Sequence, residues 1–158
     1  RTHEIQRLIG RALRTMVDMS QLGPRSLMVD CDVLQADGGT RTASITGSCI
    51  AVGMALDKLI KEGKVPRAAW LGTVAAVSIG LHEGQALVDL DYDEDSTCDV
   101  DMNFVVTGSG KFVEVQGTAE RAPFGQEELE SLTRSAVAAT KKLQALQQEQ
   151  FVKLGIEL

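Results

Sequence analysis

The sequence predicts a two-layer α+β fold in which helices cover a mixed, largely antiparallel sheet. Three observations carry that prediction. Apolar residues recur at helical spacing near both ends and in an interior stretch, period-two alternation marks the centre, and glycine turns join the alternating runs in pairs. The opening helix, residues 4–19, places Ile5, Leu8, Ile9, Ala12, Leu13 and Met16 opposite Arg7, Arg11 and Arg14, and stops at Gly23-Pro24. An alternating run over residues 27–34 reads as a strand, and residues 43–61 as a long buried helix. Residues 73–81 and 86–90 form a hairpin across Glu83-Gly84, and residues 100–107 and 111–116 a second across Gly108-Ser109-Gly110. The last helix, residues 126–154, follows Pro123-Phe124-Gly125, with Glu127, Glu128 and Glu130 favouring its N-terminal dipole and Leu129, Leu132, Ala136, Ala139 and Leu143 as its docking stripe.

The 158 residues, 44% of them hydrophobic, suffice for one core, and aromatics at 4% leave that core to aliphatic side chains. No repeat or low-complexity linker divides the chain, which reads as one domain over residues 1–158. The apolar stretch of residues 45–60 contains Asp57 and Lys58, so it reads as a core helix and no membrane partner is expected. Cys31, Cys49 and Cys98 lack paired spacing and histidine partners, which argues for reduced core thiols. His3, His82, Ser44 and Ser48 form no nucleophile-and-base pattern, so hydrolase triad chemistry has no support. A net charge of -6 does not announce a nucleic-acid protein, but phosphate contacts need positive patches and not a positive total. Arg1, Arg7, Arg11 and Arg14 supply one, read either as an RNA or subunit contact or as a solvated face balanced by Glu4 and Asp18.

The run Asp37-Gly38-Gly39-Thr40-Arg41-Thr42 joins a strand to a helix through two glycines and places a guanidinium at the helix entrance. Glycines let backbone approach a ligand, the first helical N–H groups lack internal partners, and Arg41 offers a bidentate fork suited to phosphate. The competing reading is a strand terminator with a surface ion pair. The Gly-Lys-Ser/Thr ending of a nucleoside triphosphate loop is missing.

A second concentration of chemistry lies at Asp89, Asp91, Asp93, Glu94, Asp95, Asp99 and Asp101. The spacing of Asp91, Asp93 and Asp95 opens a calcium loop, but Ser96 replaces the expected glycine and Met102 the closing glutamate. Asp93 and Glu94 fit a solvated acidic loop. Alternation over residues 98–107 puts Val100, Met102, Phe104 and Val106 on one strand face and Asp99, Asp101 and Asn103 on the other. Aligned carboxylates suit a hard cation such as magnesium, and crowding of like charges raises one pKa far enough for general-acid work.

With these motifs in order, the chain resembles ribonuclease PH almost end to end. The likeness runs through Arg-Thr-His-Glu-Ile-Gln-Arg-Leu-Ile-Gly-Arg at the start, residues 30–47, residues 89–103 and Val115-Gln116-Gly117-Thr118-Ala119-Glu120. The resemblance implies a ribonuclease PH-like fold and a phosphorolytic 3′-to-5′ exoribonuclease that trims tRNA precursors with inorganic phosphate, releases nucleoside diphosphates, and adds nucleotides in reverse. By motif position, Arg1, Gly39, Thr40 and Arg41 bind phosphate, while Asp95 and Asp101 form the catalytic pair and hold a divalent cation, magnesium or alternatively manganese. It also implies a cytoplasmic homohexamer built as a trimer of dimers. The chain starts inside the first motif and is expected to be a C-terminal portion whose activity in isolation is impaired. A noncatalytic RNA-binding or ring-forming subunit of the same fold is the alternative; Thr40, Arg41, Asp95 and Asp101 together argue against it.

Overall fold

The computed structural model describes residues 2–158, so the expectation for Arg1 lies outside the described residues. Helix α1 spans Thr2–Arg14, α2 Thr40–Lys61, α3 Tyr92–Thr97 and α4 Gln126–Lys153; strands β1 to β4 span Val74–His82, Gln85–Val88, Val100–Thr107 and Phe112–Ala119. The sheet order is β2-β1-β3-β4 and every ladder is antiparallel. This is the expected α+β class, with no parallel pair in the sheet.

Alternation assigns the faces. Val74, Ala76 and Val105 pack with Leu8, Ala12 and Leu13 of α1 and with Ile45, Cys49, Val52 and Leu56 of α2. The intervening residues, Val77, Ile79, Leu81, Met102 and Phe104, pack with Leu132 and Ala136 of α4. The helical covering is thus divided between the two sets of strand side chains. Helix α2 is long and apolar enough to cross a membrane by length and composition, yet its apolar side chains at Ile45, Cys49 and Leu56 are fully buried in this core. Burial pushes the Cys49 thiol up to about 11, which keeps it protonated and inert.

Both hairpins form where the glycine turns predict them. Glu83 and Gly84 take φ of 48° and 78°, the left-handed pair that a two-residue hairpin between His82 and Gln85 requires. In the second, Gly110 takes φ of 79°, and Thr107 N donates to Lys111 O at 2.8 Å. Where β2 ends, the first half of β1 would have unpaired backbone. Thr46 Oγ1 instead accepts from Ala76 N at 3.1 Å and donates to Ala76 O at 3.2 Å, while Gln147 Nε2 donates to Val74 O at 2.9 Å. Side chains of α2 and α4 therefore close an edge that a fifth strand would otherwise occupy.

Two expectations need correction. Residues 27–34 are not a strand: they join no ladder, and Met28 and Leu34 are 97% and 93% exposed. Alternation sets which side chains share a face, but a strand also needs a neighbour to accept its hydrogen bonds, and the described residues supply none. The acidic loop contains a helix, α3. Asp91 Oδ1 accepts from Glu94 N at 2.8 Å and Glu94 Oε2 from Asp91 N at 3.2 Å, a reciprocal cap visible as the spacing Asp91-x-x-Glu94.

Candidate active site

The glycine run and the acidic run are about fifty residues apart in sequence and adjacent in space. Gly38 makes the junction: a Cβ there would collide with the Leu90 carbonyl oxygen and fall 2.7 Å from the Asp91 carbonyl carbon. Asp37 Oδ1 reinforces it, accepting from Gly38 N at 2.8 Å and Tyr92 N at 2.7 Å. The loop before α2 and the N-terminus of α3 are thereby held together by backbone contact and one carboxylate.

Gly39 is the N-cap of α2 at φ of 71°, with no side-chain cap. That left-handed conformation is free for glycine and strained for other residues. The helix consequently begins at Thr40, three residues earlier than expected, and Arg41 lies in its first turn with unpaired backbone N–H groups around it. The Arg41 guanidinium is one-third exposed and lies 3.5 Å from Glu4 Oε1 of α1. An exposed pair at that length is weak, so Arg41 is available to a stronger anion. The surface-ion-pair reading of Arg41 is correct for the free protein and compatible with ligand binding.

Asp101 pairs in register with Gly80 on β1 and Thr118 on β4. The missing side chain at Gly80 leaves room for Leu90 and Cys98, which would lie 2.8 Å and 3.3 Å from a Cβ there. Burial raises the Asp101 pKa first, the Asp95 and Glu120 carboxylates raise it further, and Arg41 opposes them. A carboxyl so placed holds its proton at higher pH than an ordinary aspartate. Asp95 on α3 lines the same cleft of about 390 Å³ as Ser96, Cys98, Asp101, Glu120 and Arg121.

The structure therefore sets the Gly39, Thr40 and Arg41 segment against the segment leading into Asp95, and brings Asp95 and Asp101 into one cleft. It removes Asp99 from the group: Asp99 Oδ2 accepts from Glu83 N at 3.2 Å and braces the first hairpin. Arg11 pairs with Glu114 Oε2 at 2.7 Å, and not with the expected Glu4 or Asp18, which serve Arg41 and Ser20. Sequence reasoning gave no role to Glu120 or Arg121; the signal was their place two and three residues past Thr118, the strand partner of Asp101. No three His, Cys, Asp or Glu side chains converge as a metal cluster among the described residues. Two carboxylates in one open cleft nevertheless fit magnesium, which takes one or two carboxylates and completes its shell with water and phosphate oxygens.

Comparison with known proteins agrees with this layout. Residues 1–56 match the family described as 3′ exoribonuclease family, domain 1, and residues 72–139 match 3′ exoribonuclease family, domain 2. Among solved structures, Rrp46 from rice (Oryza sativa) shares the fold with a TM-score of 0.66 at 16% identity, over 93% of this chain and 64% of that one. The chain thus spans just under two-thirds of that relative's length. With one domain description matching its first third and the other its sheet, the chain belongs to the 3′ exoribonuclease family, that of ribonuclease PH.

Proposed function

We propose that the protein is a phosphorolytic 3′-to-5′ exoribonuclease that shortens the 3′ ends of tRNA precursors. The observation that carries this reading is the Gly38 junction, which packs the segment that presents Arg41 against the segment leading into Asp95, whose carboxylate shares a cleft with Asp101. An anion cradle and a proton-holding carboxyl then share one site. A hydrolase needs the second alone; a phosphorolytic enzyme needs both, since its nucleophile is itself an anion.

Inorganic phosphate rests against Arg41 and the backbone N–H groups of Thr40 and Arg41, with its attacking oxygen towards the last phosphodiester. That oxygen forms a bond to phosphorus as the bond to the 3′ oxygen of the preceding nucleotide breaks. The departing oxygen takes a proton from Asp101, and a nucleoside 5′-diphosphate leaves. Magnesium would be held chiefly by the Asp95 carboxylate, with the carbonyl oxygen of the protonated Asp101 carboxyl, and would offset charge on the phosphate oxygens. Arg41 lowers the repulsion between the two phosphates, and Asp95 helps keep Asp101 protonated before transfer. Assembly as a homohexameric ring belongs to the same reading, supported by exposed apolar side chains at Met28, Leu34, Phe112 and Val115.

The experiment incubates the protein with a 3′-extended tRNA and magnesium, with and without inorganic phosphate, and identifies the products. Phosphate-dependent release of nucleoside diphosphates supports the proposal. Monophosphates released without phosphate would mean hydrolysis, and RNA that binds but is never shortened would mean a noncatalytic subunit.

A further inference from the structure

The cleft that holds Asp95 and Asp101 has little positive charge of its own for a polyanionic substrate. Three of its six lining residues, Asp95, Asp101 and Glu120, are carboxylates, and one, Arg121, is a cation. Magnesium and Arg41 would serve the two reacting phosphates, so the RNA backbone beyond them still needs a cation of its own.

Arg121 has the position to supply it. Glu120 N and Arg121 N both donate to Asp99 O, at 2.9 and 3.3 Å, which fixes the backbone just beyond β4 against the start of β3. Arg121 follows β4, the edge strand of the sheet, and lines the cleft. It is exposed and takes part in none of the ion pairs among the described residues, although three carboxylates line the same cleft. Arg41 stands in the first turn of α2 and Arg121 just beyond β4, so the two guanidinia come from different elements.

We propose that Arg121 binds a backbone phosphate of the RNA strand, upstream of the bond being broken, and so divides the site into two anion positions. Arg41 takes inorganic phosphate; Arg121 takes the polymer. The chemistry required is a phosphodiester oxygen accepting a charge-assisted, optionally bidentate hydrogen bond from a guanidinium. The inference rests on the exoribonuclease reading for its ligand, but its test does not depend on turnover.

The test compares Arg121→Gln, Arg121→Lys and Arg41→Gln with the unaltered protein. RNA binding is followed by fluorescence anisotropy without inorganic phosphate across a range of salt. Arg121→Gln should weaken RNA binding about tenfold, the scale of one charged hydrogen bond, and flatten the log-log salt dependence by about one counterion. Arg121→Lys should restore the salt dependence. In phosphorolysis, Arg121→Gln should raise the KM for RNA and leave the KM for phosphate within about twofold, while Arg41→Gln does the reverse. If Arg121 only neutralises its carboxylate neighbours, Arg121→Gln will lower thermal stability and leave the salt dependence unchanged, which overturns the proposal. A raised KM for phosphate in Arg121→Gln overturns it too, by assigning Arg121 to the small ion. A protein whose RNA binding follows Arg121 but which releases no diphosphates keeps this inference and loses the proposed reaction.

Discussion

Asp37 Oδ1 accepts the Tyr92 backbone N–H at 2.7 Å across fifty-five positions of sequence. The same oxygen accepts from Gly38 N at 2.8 Å. One carboxylate oxygen therefore ties the loop that presents Arg41 to the helix that presents Asp95. Replacing Asp37 with Ala should cost about 1 kcal/mol of stability and raise the KM for phosphate. Asp37→Asn keeps an acceptor oxygen and should recover most of both losses; equal damage from the two variants in denaturant titration and kinetics would refute the link.

Gly38→Ala probes the same junction sterically. The added methyl meets the Leu90 and Asp91 backbone, which cannot rotate aside, and overpacking of this kind costs about 1–3 kcal/mol. Phosphorolysis should fall more steeply than stability, since the displaced segment carries Asp95. Wild-type kinetics in Gly38→Ala would show that the close approach is incidental.

Arg41→Ala should reduce phosphorolysis at least ~100-fold, the scale of one lost transition-state donor. Loss of its exposed partner, in Glu4→Gln, should leave the rate within about threefold because that pair is weak. An unchanged rate in Arg41→Ala removes Arg41 from the site.

Asp101 gives a pH signature with a definite sign. Its pKa in the folded protein lies above the ordinary carboxylate value, so the folded state holds the proton over a window in which the unfolded state has released it. Stability contributed by this group therefore falls as pH rises through that window, and the loss persists above it. Asp101→Asn should unfold at a higher temperature than the wild type at neutral pH and no longer gain relative stability from mild acid. The same substitution should abolish turnover, and wild-type turnover should decline as pH rises through the Asp101 pKa. A less stable Asp101→Asn at neutral pH would contradict the raised pKa.

Thr46→Val tests the closed edge of β1. It leaves Ala76 N and O without the Thr46 hydroxyl, and an unmade buried hydrogen bond costs about 1–3 kcal/mol. The KM for phosphate should not move, because Thr46 lies two turns beyond Gly39 on α2. Calorimetry showing no loss would mean that water replaces the hydroxyl.

The parts of the fold that were legible in the sequence are those governed by local rules. Alternation over residues 100–107 gave β3 and its buried face, and Glu83-Gly84 gave the first hairpin, because both depend on neighbours in sequence. Residues 27–34 form no strand because a run of strand-forming composition still needs a pairing partner. Helix α3 was hidden under a charge run although its reciprocal cap was present in the spelling. At the site, the glycine run and the paired aspartates were readable as chemistry, but the reason for Gly38 was not. It lies in the Leu90 and Asp91 backbone, which no local pattern around residue 38 reports. Arg121 was invisible for a related reason: it reaches the cleft only through the register of β4 against β3.

The Gly38 junction also sets when the site comes into being. Its two sides lie about fifty residues apart in sequence and are held by α2 on β1, by the first hairpin and by Leu90, whose N–H reaches Ser78 Oγ at 3.1 Å. Contacts of that sequence separation form late, once the entropy of closing the intervening chain has been overcome. If the proposed site is right, phosphate binding should be lost with the tertiary structure, and its recovery during refolding should follow the closing of this junction.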